Sequence, residues 1–198
     1  MTQRLPGRRA LLGSGLALLC LLSAGPSVRA AQNPLAKLFG DKSTDYQIFK
    51  DPAGRFELEY PKKDWHLLPK GGSSLAVFAR NDGPTLFVDQ VKLSAPLTPE
   101  EIDVMADGET SRLKEQQPSV KEFKTEIAES RAGKGVLIRY WRIGQGAERV
   151  AQYSIPVGND LYRLNGVIPE KLLPKHEPVV LHMIQSFNVP AAPASPKH

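Results

Sequence analysis

The sequence predicts an α+β fold, a three-layer α/β/α sandwich with a central, mostly antiparallel β-sheet. Three observations lead there. Segments of strand-like alternation come in two groups, each followed by one helical segment. Short connections rich in Gly, Asn and Asp join neighbouring strands as hairpins. The run Val136-Leu137-Ile138-Arg139-Tyr140-Trp141 is apolar on both faces, as a strand covered from two sides would be. A β-barrel is the rival architecture, and two well-separated helices count against it.

The first strand signal is Phe56, Leu58 and Tyr60 alternating with Arg55, Glu57 and Glu59, closed by Pro61. A short segment from Trp65 to Leu68 is expected to pair with it. Leu75 to Ala79 and Leu86 to Leu93 read as two strands of a meander, separated by the turn signal Asn81-Asp82-Gly83-Pro84. A helix follows. Thr98 is a good N-cap, Pro99 fits the first position, and Glu101 completes a capping box. Ile102, Met105, Ala106 and Leu113 then recur at helical spacing, and Gln116-Gln117-Pro118 ends the helix. Gly108 in its interior costs about 1 kcal/mol relative to Ala.

Four strands are predicted next, near 121–129, 135–143, 148–157 and 161–168. Gly133 and Gly135, Gly144 and Gly146, and Gly158-Asn159-Asp160 mark their connections. A final helix runs from Pro174 or Glu177 to Gln185, burying Val179, Val180, Met183 and Ile184, with Phe187 closing over the core.

Outside the domain, residues 1–30 read as a cleavable signal peptide. Arg4, Arg8 and Arg9 form a basic start, an apolar stretch runs from Ala10 to Leu22, and Val28-Arg29-Ala30 offers a cleavage site. The rival is an uncleaved anchor, for which the stretch is short against the roughly 20 residues a span needs. Arg8-Arg9-Ala10-Leu11-Leu12 also fits a twin-arginine signal, so both export routes stay open. Leu18-Leu19 before Cys20 do not suit a lipoprotein anchor, so Cys20 belongs to the apolar run. The expected compartment is periplasmic or extracellular, or a thylakoid lumen in a photosynthetic host. Residues 31–44 are expected to be a flexible linker, 45–188 the domain, and 189–198 a disordered Pro/Ala tail.

Cleavage would change the chemistry available. Cys20 is the only cysteine, so no disulfide and no thiol catalysis would remain. The chain holds 26 basic and 21 acidic side chains, a formal charge of +5. Four of the arginines lie in the leader, so 22 basic would face 21 acidic side chains in the remainder. Nucleic acid is therefore not an expected partner, and no integral membrane span is expected after cleavage.

Catalytic templates fail. His176-Glu177 begins a zincin pattern, but Val180 stands where the second histidine belongs. His176 and His182 are six apart and cannot share a helix face, and the ordinary reading of each is a surface or partly buried histidine. Gly71-Gly72-Ser73-Ser74 lacks the Lys of a phosphate loop. Asp103 and Asp107 share a helix face, which reads as a solvated one. No catalytic residue, metal ligand or cofactor is assigned. Two groups are candidates for binding. Arg139, Arg142, Arg149 and Arg163 fall on three consecutive strands and form a candidate interaction surface if they converge, although cross-strand pairing with Glu148 and other acids is the plainer reading. Trp65, Tyr140 and Trp141 are candidates to line a pocket, or equally to fill the core.

The pattern Phe56-x-x-x-Tyr60-Pro61-x-x-x-Trp65 resembles the opening motif of PsbP-like domains, with one extra residue before the tryptophan. Gly135-x-x-x-Arg139-Tyr140-Trp141, Asp160-Leu161-Tyr162-Arg163-Leu164 and Ile184-Gln185-Ser186-Phe187 are similar to later strands and the closing helix of that family. The resemblance spans about 46–188 and implies an α/β/α sandwich, a fold also found in Mog-type proteins. It further implies a non-enzymatic role as an accessory or protein-binding module, with a protein partner in the cell envelope. The second expectation is a small-ligand or lipid carrier with a pocket between a helix layer and the sheet. An unrecognised hydrolase is the third.

Overall fold

The computed structural model describes residues 44–191 except 70, 71, 118 and 145. The leader, Cys20, most of the linker and the end of the tail lie outside the described residues. The domain opens with a two-stranded antiparallel sheet of β1 (Tyr46–Lys50) and β2 (Glu57–Pro61). β1 has no counterpart in the sequence reading, because Tyr46-Gln47-Ile48-Phe49-Lys50 does not alternate and Ile48 is 58% exposed. Its turn is built by Asp51. The buried carboxylate accepts from Arg55 Nε at 2.7 Å and Nη2 at 2.8 Å, and from the Ala53 backbone N–H at 3.1 Å.

The main sheet has seven strands in the order β3-β4-β5-β9-β8-β7-β6, all antiparallel. They are β3 (Trp65–Leu67), β4 (Ala76–Arg80), β5 (Thr85–Lys92), β6 (Lys121–Ser130), β7 (Gly133–Ile143), β8 (Ala147–Val157) and β9 (Asp160–Pro169). β3 pairs with β4, with Trp65 opposite Arg80, and not with β2 as expected from the sequence. The reason is the turn at Lys62-Lys63-Asp64, where Asp64 takes φ +65° and the chain leaves one sheet for the other. β2 instead bridges the chain end through Glu57 and Asn188.

From β5 in mid-sheet, the chain crosses over through a 3₁₀ turn (Pro99–Glu101) and helix α1 (Ile102–Gln116) to β6 at the far edge. The Thr98 N–H donates to the Glu101 carboxylate at 2.7 Å, the expected half of a capping box. Three hairpins then walk β6, β7, β8 and β9 back until β9 lies beside β5. Edge strand β6 is irregular between Lys121 and Lys124, and Glu122 adopts φ +54°. Such a break, with a charged edge, discourages strand addition from another chain. A second 3₁₀ turn (Glu170–Leu172) leads into α2 (Leu173–Gln185), which carries Pro178 within it.

The helices lie on opposite faces of the sheet. Val136, Ile138, Tyr140 and Val150 pack with Ile102, Ala106 and Leu113 of α1. Leu137, Ala151, Tyr153, Ile155 and Leu164 pack with Val180, Met183 and Ile184 of α2, together with Phe56, Leu58 and Phe187. The apolar character of both faces of β7 thus has a direct cause. Burying each large side chain of this kind stabilises the fold by roughly 1.5–3 kcal/mol. α2 approaches closely at Gly166 of β9, where a Cβ would collide with Val180 Cγ1.

Candidate functional site

The four arginines do not converge. Because neighbours on a strand point to opposite faces, Arg139 and Arg149 lie on the α2 side while Arg142 and Arg163 lie on the α1 side. Arg139 Nη2 bonds Glu126 at 2.9 Å, and Arg142 Nη2 bonds Glu148 at 2.6 Å. Arg149 lies over the Trp141 ring, 4.5 Å from its centroid. Arg163 Nη2 reaches Glu109 on α1 at 2.6 Å. The aromatic group is also dispersed. Trp65 is buried in the α2-side core, Tyr140 in the α1-side core, and Trp141 sits beneath Arg149.

Arg163 leads to the arrangement of most interest. α1 covers β6 and β7 but leaves a cleft beside β5 and β9, ≈ 380 Å³ in volume. Val91 of β5, Leu97 of the crossover, Val104 and Met105 of α1 and Leu161 of β9 make its walls mainly apolar. Val104 is 71% exposed at this site. Glu101, Glu109 and Arg163 supply its polar part. The Glu109 carboxylate also accepts from Arg112 Nη2 at 2.7 Å and Gln152 Nε2 at 2.9 Å. Burial opposes its charge, but the Arg112 hydrogen bond and the nearby Arg163 guanidinium outweigh it and hold the carboxyl below its usual range. The Glu109 carboxylate thus sits between two guanidiniums.

Gly108 lines the same cleft, and a Cβ built on it would meet no atom within 4 Å. Asp103 and Asp107 are exposed, as read from the sequence. Glu109 was missed, although its spacing from Ile102, Ala106 and Leu113 placed it on the buried stripe.

A second cleft, ≈ 360 Å³, lies by the β6–β7 turn and the end of α2. Beside it Glu59 takes Arg131 Nη2 at 2.6 Å and His182 Nε2 at 2.9 Å. Burial raises the Glu59 carboxyl, and these two partners lower it further than burial lifts it. The Tyr46 ring packs on His182 with centroids 4.0 Å apart. This cluster ties β1 and β2 to α2 and reads as a structural clasp. Among the described residues, no group of three or more His, Cys, Asp or Glu side chains is gathered as a metal ion would require. No helix among them is long and apolar enough to cross a membrane.

No family model matches the chain, and no curated relative does. Solved structures do. The solution structure of cyanobacterial PsbP (CyanoP) from Synechocystis sp. PCC 6803 aligns with 76% of this chain and 96% of its own, at 15% identity and a TM-score of 0.55. LpqN, involved in cell envelope biogenesis of Mycobacterium tuberculosis, covers 78% of this chain and 96% of its own at 15% identity and a TM-score of 0.49. A Mog1 variant covers 73% and 96% at 9% identity and a TM-score of 0.47. The chain has the PsbP-like α/β/α fold, as its sequence motifs suggested.

Proposed function

We propose that the protein is an exported, non-enzymatic accessory module that binds a protein partner in the cell envelope through the cleft between α1 and the sheet. Gly108 carries the reading. A glycine within a helix costs about 1 kcal/mol relative to alanine, and no close contact in the fold requires this one. It lines the cleft, where any larger side chain would take up space. The neighbouring exposure of Val104 and Val91 supports the same surface, since clustered exposed apolar groups mark interaction sites. The signal peptide expected from the sequence agrees with a partner in the envelope.

A second reading keeps the cleft and changes its occupant to a small apolar ligand or lipid. Its volume favours this, falling within the ≈ 300–1,000 Å³ of small-molecule sites. Both readings are tested by placing a photo-reactive residue at Val104 in intact cells, with Lys50 on the opposite side as control. A partner captured from position 104, not from 50, and lost in Gly108→Leu supports the first. A ligand co-purifying from the host and seen by native mass spectrometry supports the second. Equal capture at both positions with no co-purified ligand would sink both.

A further inference from the structure

His176 is a buried group that no hydrogen bond among the described residues uses. The residue is 2% exposed, and neither ring nitrogen has a hydrogen-bond partner among the described residues. Its nearest acid is Asp82, with Oδ2 4.0 Å from Nε2, too far for a hydrogen bond. Asp82 is moreover held by Arg80 Nε at 2.6 Å. Every imidazole carries at least one N–H, and a buried donor without an acceptor points to a water, ion or ligand that completes it.

The ring forms part of the wall of a cleft of ≈ 330 Å³ between α2, the β2–β3 turn and the end of β4. Lys63, Asp64, Arg80 and Lys175 line it as well. Its acids are already engaged. Asp64 pairs with Arg80 at 3.3 Å, and Asp45 pairs with Lys62 at 2.9 Å. Lys63 and Lys175 have no acidic partner among the described residues, and both are exposed. Two unpaired ammonium groups thus border the cavity that the orphaned imidazole underlies.

We infer that this cleft binds a small anion, its carboxylate or phosphate group held by Lys63 and Lys175 with a His176 N–H as the buried donor. Burial, then the Arg80 charge, holds the ring's pKa below its ordinary value, so the neutral ring brings one N–H at neutral pH. The attraction comes from the lysines, and the imidazole supplies direction. The site lies on the α2 side of the sheet, so its failure and that of the α1 cleft are separate outcomes.

The test is an NMR titration of histidine-labelled protein with inorganic phosphate and, separately, with acetate. His176→Gln assigns the signal, and exposed His66 serves as the control. The expected result is a saturable shift of the His176 ring signals with His66 unmoved, weakened at least tenfold in the Lys63→Ala/Lys175→Ala variant. A response to phosphate alone or to acetate alone identifies the group bound. No saturable shift with either anion, or an unchanged response in the double variant, overturns the inference.

Discussion

The carboxylate of Glu109 on α1 and the guanidinium of Arg163 on β9 meet at 2.6 Å, joining the crossover helix to the middle of the sheet. Arg112 and Gln152 complete the carboxylate's shell. Glu109→Ala would leave Arg163 uncompensated beside an apolar cleft. Breaking a largely buried pair this way should cost roughly 3 kcal/mol, read by urea denaturation. The same carboxyl has a pH signature. Its folded pKa is depressed, so its stabilisation is complete above the unfolded carboxylate value and is lost as pH falls through the folded one. Glu109→Gln should therefore flatten the acid limb of stability against pH. An acid limb as steep as that of the parent protein would contradict this.

Gly108 should separate stability from binding. Gly108→Ala is expected to raise stability by up to about 1 kcal/mol, because the new Cβ enters open space and the helix gains propensity. The larger Gly108→Leu should obstruct the cleft and reduce partner or ligand capture. Thermal unfolding and the Val104 cross-link measure the two effects independently.

Gly166 should behave in the opposite way. A Cβ there collides with Val180, so Gly166→Ala should cost about 1–3 kcal/mol by overpacking. Trimming the partner relieves the collision. The Gly166→Ala/Val180→Ala pair should thus be more stable than the two single effects added together. Simple additivity in a denaturation double-mutant cycle would show that the two residues do not meet.

His176 should make stability rise with pH near neutrality. Its pKa is lowered from 6.5 in the folded protein, so below that value the unfolded chain binds the extra proton first. The groups facing the ring are Arg80, Asp82 and Lys175, of which only Asp82 favours protonation. Stability should decline as pH falls below 6.5, and His176→Gln should remove that component. A profile through pH 5–7 that the substitution leaves unchanged would count against it.

Tyr153 should mark the alkaline side. Its hydroxyl is buried and donates to the Gly133 carbonyl at 3.0 Å, and burial raises its pKa to about 12. The stabilisation is fully present below the ordinary value of 10 and is lost as pH climbs through the folded one. Tyr153→Phe should cost about 1 kcal/mol at neutral pH and blunt the alkaline loss.

Much of the fold was legible because its signals are local. Alternation marked Phe56 to Tyr60, glycine turns divided the four hairpin strands, and Thr98 with Glu101 marked the start of α1. Pairing was less legible. Trp65 to Leu67 lies next to β2 in the chain, yet bonds to β4, because a left-handed turn at Asp64 sends it to the other sheet. The polar sites were hidden for a related reason. Glu109 and His176 both occupy buried helical positions, in step with Leu113 and with Val180 and Met183. A charge or an imidazole on an apolar stripe was a readable anomaly, but its partners, or their absence, were not.

Apart from β1, the sequence by itself determined the order of elements, their approximate limits and the antiparallel sandwich they form, since hydrophobic period and turn chemistry act over a few residues. Only the tertiary structure decided that four arginines split between two faces and that three aromatic residues part company. It also decided that a mid-helix glycine opens on a cleft and that His176 is buried without a hydrogen-bond partner among the described residues. Those outcomes depend on strand register and on which face each helix covers, and both are set by packing between residues far apart in the chain.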